Sequence, residues 1–156
     1  MKDLTVLNSR VSPWGYNCAG FALGTFRWEK IYAFEDFADD EGMDPGEILN
    51  MMAQEIEAKF PYLIRVPSHH NIPKRYKVIG LKIGDIEEWG YDWSTDFHFV
   101  MRYRGKWYHK QGKWDIEPLP EKAIEKDCWG DIYNSETAWF VDMTNRVNQR
   151  DPSWDL

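Results

Sequence analysis

Read for its alternation of apolar and polar positions, the chain opens on helical stretches and then changes to strand texture. Asn17 stands where a helix cap belongs, ahead of Cys18, Ala19, Phe21, Ala22 and Leu23, and Gly24 follows as a stop. A longer helix is marked by Asp44 as cap, Pro45 in the first turn and Glu47 completing a capping box. Its stripe is Ile48, Met51, Met52, Ile56 and Phe60, with Pro61 at the end. That spacing reads the methionines as core packing. From Tyr62 the pattern shortens to strand runs at 62–66, 76–83, 97–103, 106–110 and 137–143, with a short helix near 121–126 and a polar tail at 148–156. Helices first and strands after, with no regular βαβ alternation, predict an α+β fold whose N-terminal helices pack on an antiparallel sheet. There is no internal repeat, so a single domain over 1–147 accounts for everything before the tail.

The run Phe97-His98-Phe99-Val100-Met101-Arg102-Tyr103 places Phe97, Phe99, Met101 and Tyr103 on one face and His98, Val100 and Arg102 on the other. A two-residue turn at Arg104-Gly105 pairs Tyr103 with Lys106, Arg102 with Trp107, Val100 with His109 and His98 with Gln111. His98 and His109 then share a face as diagonal neighbours, about 7–8 Å apart at Cα and within reach of two imidazole rings. A three-residue turn would break that register.

Composition narrows the partners. With 26 Asp plus Glu against 19 Lys plus Arg the formal charge is −7, which argues against a nucleic-acid partner and against an anionic membrane surface. No apolar run approaches the roughly 20 residues of a membrane helix, and the stretch 1–8 is too short for a secretory signal, so the expected location is cytoplasmic as synthesised, with delivery outside by another route left open. Two cysteines are too few for a disulfide framework and fit no zinc spacing. Aromatic residues are abundant, 9 Trp, 8 Tyr and 8 Phe, and composition leaves open whether they fill a core or line a groove.

Cys18 falls in a helix's first turn, where unpaired N–H groups favour a thiolate; such thiols have pKa values lowered to about 3.5–7.5. A small cysteine among Ala, Gly, Phe and Leu is also ordinary packing. A nucleophilic thiol needs a base, and the base needs a third group to orient it; Cys18, His98 and His109 supply one of each. Trp14, Tyr16 and Trp107 are candidates for a substrate groove, with core packing as the alternative for Trp14 and Tyr16. Cys128, beside Trp129 and Gly130, reads as packing. His69-His70 are adjacent on a Pro-flanked segment, so their rings are expected to diverge, and no third ligand has helpful spacing; a solvated loop and no metal are expected. The acids at 39–44 lack a calcium-loop pattern, Gly80 to Gly84 form no phosphate loop, and Glu87, Glu88 and Asp92 mimic a glycosidase pair only weakly. No cofactor is expected.

Asn17-Cys18-Ala19-Gly20-Phe21-Ala22 resembles the Asp-Cys-Ser-Gly-Phe/Leu-Val motif of NlpC-type endopeptidases in the papain-like superfamily. Asn17 stands for the family's acid and Ala19 for its serine. The segment Asp96-Phe97-His98-Phe99 followed by Trp107-Tyr108-His109-Lys110-Gln111-Gly112 resembles papain-like bacterial and phage proteins. In those, an Asp-Tyr-His-Trp strand leads into a Trp-Ser-His-Lys-Pro-Gly strand. About thirty residues carry the resemblance. The interval of roughly eighty residues between Cys18 and His98 exceeds that of the compact family, with 35–59 as the insertion. The resemblance implies a papain-like fold, catalytic roles for Cys18, His98 and His109, and a thiol hydrolase or acyl-transfer activity on an amide bond of a peptide or peptidoglycan-like substrate. Two other readings stand beside it: a non-catalytic binding or inhibitory protein, phage-encoded in one version, and a deamidase or transglutaminase-like effector.

Overall fold

Six strands and four α-helices order residues 12–37, 43–85 and 95–144 of the computed structural model, the residues described here. The acids at 39–42, the trio Glu87, Glu88 and Asp92, the stretch 1–8 and the tail 148–156 lie outside them. A 3-10 turn at Pro13–Gly15 leads into α1 (Cys18–Ala22), α2 (Tyr32–Phe37) and α3 (Pro45–Lys59). Strands β1 (Leu63–Val66), β2 (Val78–Asp85), β3 (Thr95–Tyr103), β4 (Lys106–Lys110) and β5 (Ile116–Leu119) follow, then α4 (Glu121–Ile124) and β6 (Ala138–Asp142). The sheet runs β1-β6-β2-β3-β4-β5 and every pairing is antiparallel, so the chain is α+β as the order of elements predicts.

Local signals explain most of these elements. The Asn17 side chain accepts the Gly20 N–H at 2.9 Å and Gly24 turns the chain at φ +75°, so α1 begins and ends where its sequence says. In α3 the buried stripe is Ile48, Leu49, Met52, Ala53 and Ile56, while Met51 is half-buried. The expected capping box is absent. Asp44 sits at the cap position without a side-chain cap bond, and the Glu47 N–H goes to the Asp44 carbonyl at 3.0 Å. Two elements carry no local signal. The N–H groups of Tyr32 and Ala33 at the start of α2 are taken by the Glu55 carboxylate, at 2.8 and 2.9 Å, so the partner comes from α3 rather than from the preceding residues. β5 is a four-residue edge strand containing Pro118, a residue that edges tolerate.

The two faces of the sheet bury different sets. On one, α1 and α3 cover Ile79, Leu81, Ile83, Phe99, Met101, Tyr103 and Tyr108. On the other, Val78, Val100, Trp107 and Trp139 pack with Ile124 and Trp129. Among the described residues no helix is long and apolar enough to cross a membrane.

Candidate functional site

The hairpin has the expected register: Val100 faces His109, Arg102 faces Trp107 and Tyr103 faces Lys106. Arg104 and Gly105 both take positive φ, +51° and +79°, as a two-residue primed turn requires. Ladder pairing stops at Val100 and His109, so His98 and Gln111 do not pair. The shared face nonetheless brings the two rings together. His98 Nε2 lies 2.9 Å from His109 Nδ1, with the rings edge-on at 5.1 Å.

The neighbouring carboxylate favours one pair of tautomers. His109 Nε2 lies 3.5 Å from the Glu117 carboxylate, which only accepts, and this favours a proton on Nε2 with Nδ1 as the acceptor. In that pair His98 donates from Nε2, which leaves its Nδ1 with a free lone pair. Nδ1 is the ring nitrogen on the backbone side. Tyr133 stacks on the His98 ring at 5.1 Å and 23°, and its hydroxyl donates to Asp96 at 2.8 Å. Asp96 also accepts the Phe97 N–H at 2.8 Å, so ring, tyrosine and acid form one braced unit at the start of β3.

Cys18 reaches this unit from the other face of the sheet. It packs with the Phe99 side of the core, yet its sulfur takes the N–H of Phe99, the first residue of β3 past the β3–β4 ladder. The sulfur therefore sits beside the peptide that joins His98 to Phe99. Lys110, at the end of β4, donates to the Tyr16 carbonyl at 2.6 Å and to the Gly112 carbonyl, pinning the segment that enters α1.

Burial sets the protonation states. The expected lowering of the Cys18 thiol does not hold. Burial pushes it up to about 12, against the Phe99 and Ala19 N–H groups and Lys110, which pull it down. A five-residue helix has too little length to offset that loss of solvation. Burial, and the repulsion that charging both rings of the His98–His109 pair would bring, hold His98 down to about 3, and burial brings Lys110 down to about 8. Thiol and imidazole both rest uncharged.

The aromatic candidates separate. Trp14 is 66% exposed and lines an open cleft of about 560 Å³ with Gln111, Lys113, Trp114 and Asp115. Tyr16 is fully buried against Phe26 and beneath the Lys110 ammonium, and Trp107 is buried among His69 and Trp139. Neither faces an open groove. Cys128, read from the sequence as packing, lines a cavity of about 170 Å³ together with His98, His109, Trp129 and Tyr133. Gln111 borders both the cleft and that cavity.

Sequence reasoning missed Glu117, Tyr133 and Lys110. Glu117 stands directly across from His109 in β5, so it was invisible without that strand. Tyr133 reaches His98 only through the tertiary fold. The expectation for His69-His70 is also overturned: the rings stack at 4.1 Å and 27°, and both direct Nε2 at the Glu125 carboxylate. Comparisons of the chain with family models, with curated proteins and with solved structures return no match, so the chemistry rests on this geometry.

Proposed function

We propose that the chain is a cysteine-dependent hydrolase or acyl-transfer enzyme of papain-like, NlpC-type architecture, acting on an amide bond of a peptide or peptidoglycan-like substrate. The observation that carries this reading is the row Glu117, His109 and His98, with the Cys18 sulfur held by the backbone N–H of Phe99, the residue after His98. An antiparallel sheet with a cysteine-bearing helix packed on one face is compatible with the papain-like arrangement that the motifs at 17–22 and 96–112 resemble.

The chemistry follows from the placement. His98 Nδ1 takes the thiol proton, the sulfur forms a bond to the substrate carbonyl carbon, and the backbone N–H of Cys18 helps to hold the oxyanion. As the C–N bond breaks, His98 returns the proton to the leaving amine. Water, or an amine in a transfer reaction, then gives its proton to His98 and attacks the thioester, which releases the acyl product and restores the thiol. His109 and Tyr133 hold the plane of the His98 ring. Burial penalises each charge alone, but proton transfer within the pair creates thiolate and imidazolium together, so each stabilises the other. The cleft between Trp14 and Trp114 offers aromatic faces for an apolar side chain or a sugar ring, with Gln111 between it and His98.

Alkylation tests the pair. In a Cys128→Ser background, iodoacetamide should modify Cys18 at a rate nearly flat between about pH 6 and 8, and His98→Gln should lower that rate at least about tenfold. A rate that climbs with pH through 10 and ignores the His98 substitution would leave Cys18 a packing residue and overturn the proposal.

A further inference from the structure

The loop between β1 and β2 carries a second cluster, remote in sequence from the thiol site. His69 is only 3% exposed, wedged against Trp139 at 4.6 Å and Trp107 at 5.1 Å. His70 stacks on it from the solvent side. Their Nε2 atoms lie 3.2 and 3.0 Å from the same oxygen, Oε1 of Glu125, at the C-terminal cap of α4. Two imidazole nitrogens and a carboxylate oxygen, all within 4.8 Å of one another, form the one such group of three potential metal ligands among the described residues.

We propose that His69, His70 and Glu125 bind a divalent cation of the Zn²⁺ class, with the fourth coordination position left to water or an exogenous ligand. Metal–ligand bonds of about 2.0–2.2 Å place tetrahedral ligand atoms a little over 3 Å apart, so the present N···O spacings already suit a metal between them. Two imidazoles select Zn²⁺ and its neighbours over Mg²⁺ or Ca²⁺, which prefer all-oxygen sites.

The surroundings are built in the way such ligands require. The Ser68 hydroxyl lies 2.6 Å from His70 Nδ1 and accepts the His70 backbone N–H at 3.1 Å, an outer partner that holds the ring with Nε2 turned inward. Arg102 donates to the carbonyls of Ile72 and Pro73 at 2.9 and 3.1 Å and fixes the far end of the loop. His69 cannot swing away from its tryptophans. Both imidazole nitrogens converge on the Glu125 carboxylate, His70 Nε2 lying within 3.1 Å of both of its oxygens, and a cation would replace these contacts with three metal–ligand bonds. The site borders a cavity of about 500 Å³ lined also by Lys82, Asp127 and Glu136, so an exogenous ligand has a route to the open position. The bound ion would tie the 67–72 loop to α4.

Titration of the EDTA-treated full chain with Zn²⁺ against a chromophoric indicator tests the proposal. One Zn²⁺ per chain is expected to bind at micromolar concentration or tighter. His70→Gln and Glu125→Gln, both changes at exposed side chains, should each weaken binding at least about tenfold. Cys18→Ser, Cys128→Ser and His98→Gln should leave it unchanged, which separates this site from any metal taken by the thiols. Co²⁺ should give the intense visible bands of a four-coordinate complex, lost in the Glu125 variant. No competition up to about 100 μM Zn²⁺, or equal binding by the wild type and both ligand variants, overturns it.

Discussion

At the scale of the residue, the entrance to α1 shows how little freedom the site has. Asn17 accepts the Gly20 N–H, and the same oxygen accepts the Glu29 N–H at 3.2 Å while its amide donates to the Glu29 carbonyl at 2.9 Å. The residue before Cys18 is therefore tied to the chain twelve positions later. Gly20 has a different reason for being glycine: a Cβ there would stand 1.8 Å from the Arg27 carbonyl oxygen. Backbone cannot yield as a flexible side chain does. Gly20→Ala should cost at least about 3 kcal/mol, read as a lower urea midpoint at unchanged slope. A variant as stable as the wild type would mean that the 24–27 turn does not close over α1 as described.

At the scale of the element, the β3–β4 hairpin holds the pair of histidines, and its turn is the weak point. Gly105 has φ +79°, and an added Cβ would meet the Lys74 side chain at 3.1 Å. Gly105→Val should destabilise the protein by about 2 kcal/mol, because a β-branched residue is strained in the left-handed region. Hydrogen exchange should quicken first at the β3–β4 ladder, and unaltered protection there would contradict the role given to the turn. The edge strand β5 matters for the same reason: it is short and mostly exposed, yet it brings Glu117 to His109 and so biases which nitrogen of His98 is free.

At the scale of the whole molecule, burying uncharged histidines inside the fold makes stability depend on acid. His98 has a folded pKa of about 3 against an ordinary 6.5, so between those values the unfolded chain binds the extra proton and the folded state loses ground as pH falls. His69 and His109 are lowered in the same direction, chiefly by burial. From His98 alone the loss between pH 6.5 and 3 should be about 3–5 kcal/mol, and His98→Gln should flatten the pH dependence of the urea midpoint by a comparable amount. Equal slopes for the two proteins would show that His98 titrates normally.

The sequence by itself determined what depends on neighbours along the chain. The cap at Asn17, the stop at Gly24, the stripe of α3 and the alternation of 97–103 follow from residue spacing. The sequence also offers the Arg104-Gly105 turn, but its two-residue length, which sets His109 beside His98, is settled by the observed register and positive φ values. What only the tertiary structure decided concerns partners distant in sequence and the loss of water. Glu55 caps α2 from another helix, Glu117 arrives on a strand without local signal, and Tyr133 braces His98 from 35 positions away. Two adjacent histidines, expected to diverge, stack because Trp107 and Trp139 wall in the first and Glu125 draws both. Burial outweighs the helix start at Cys18, and solvation is a property of the packed molecule that no local pattern encodes.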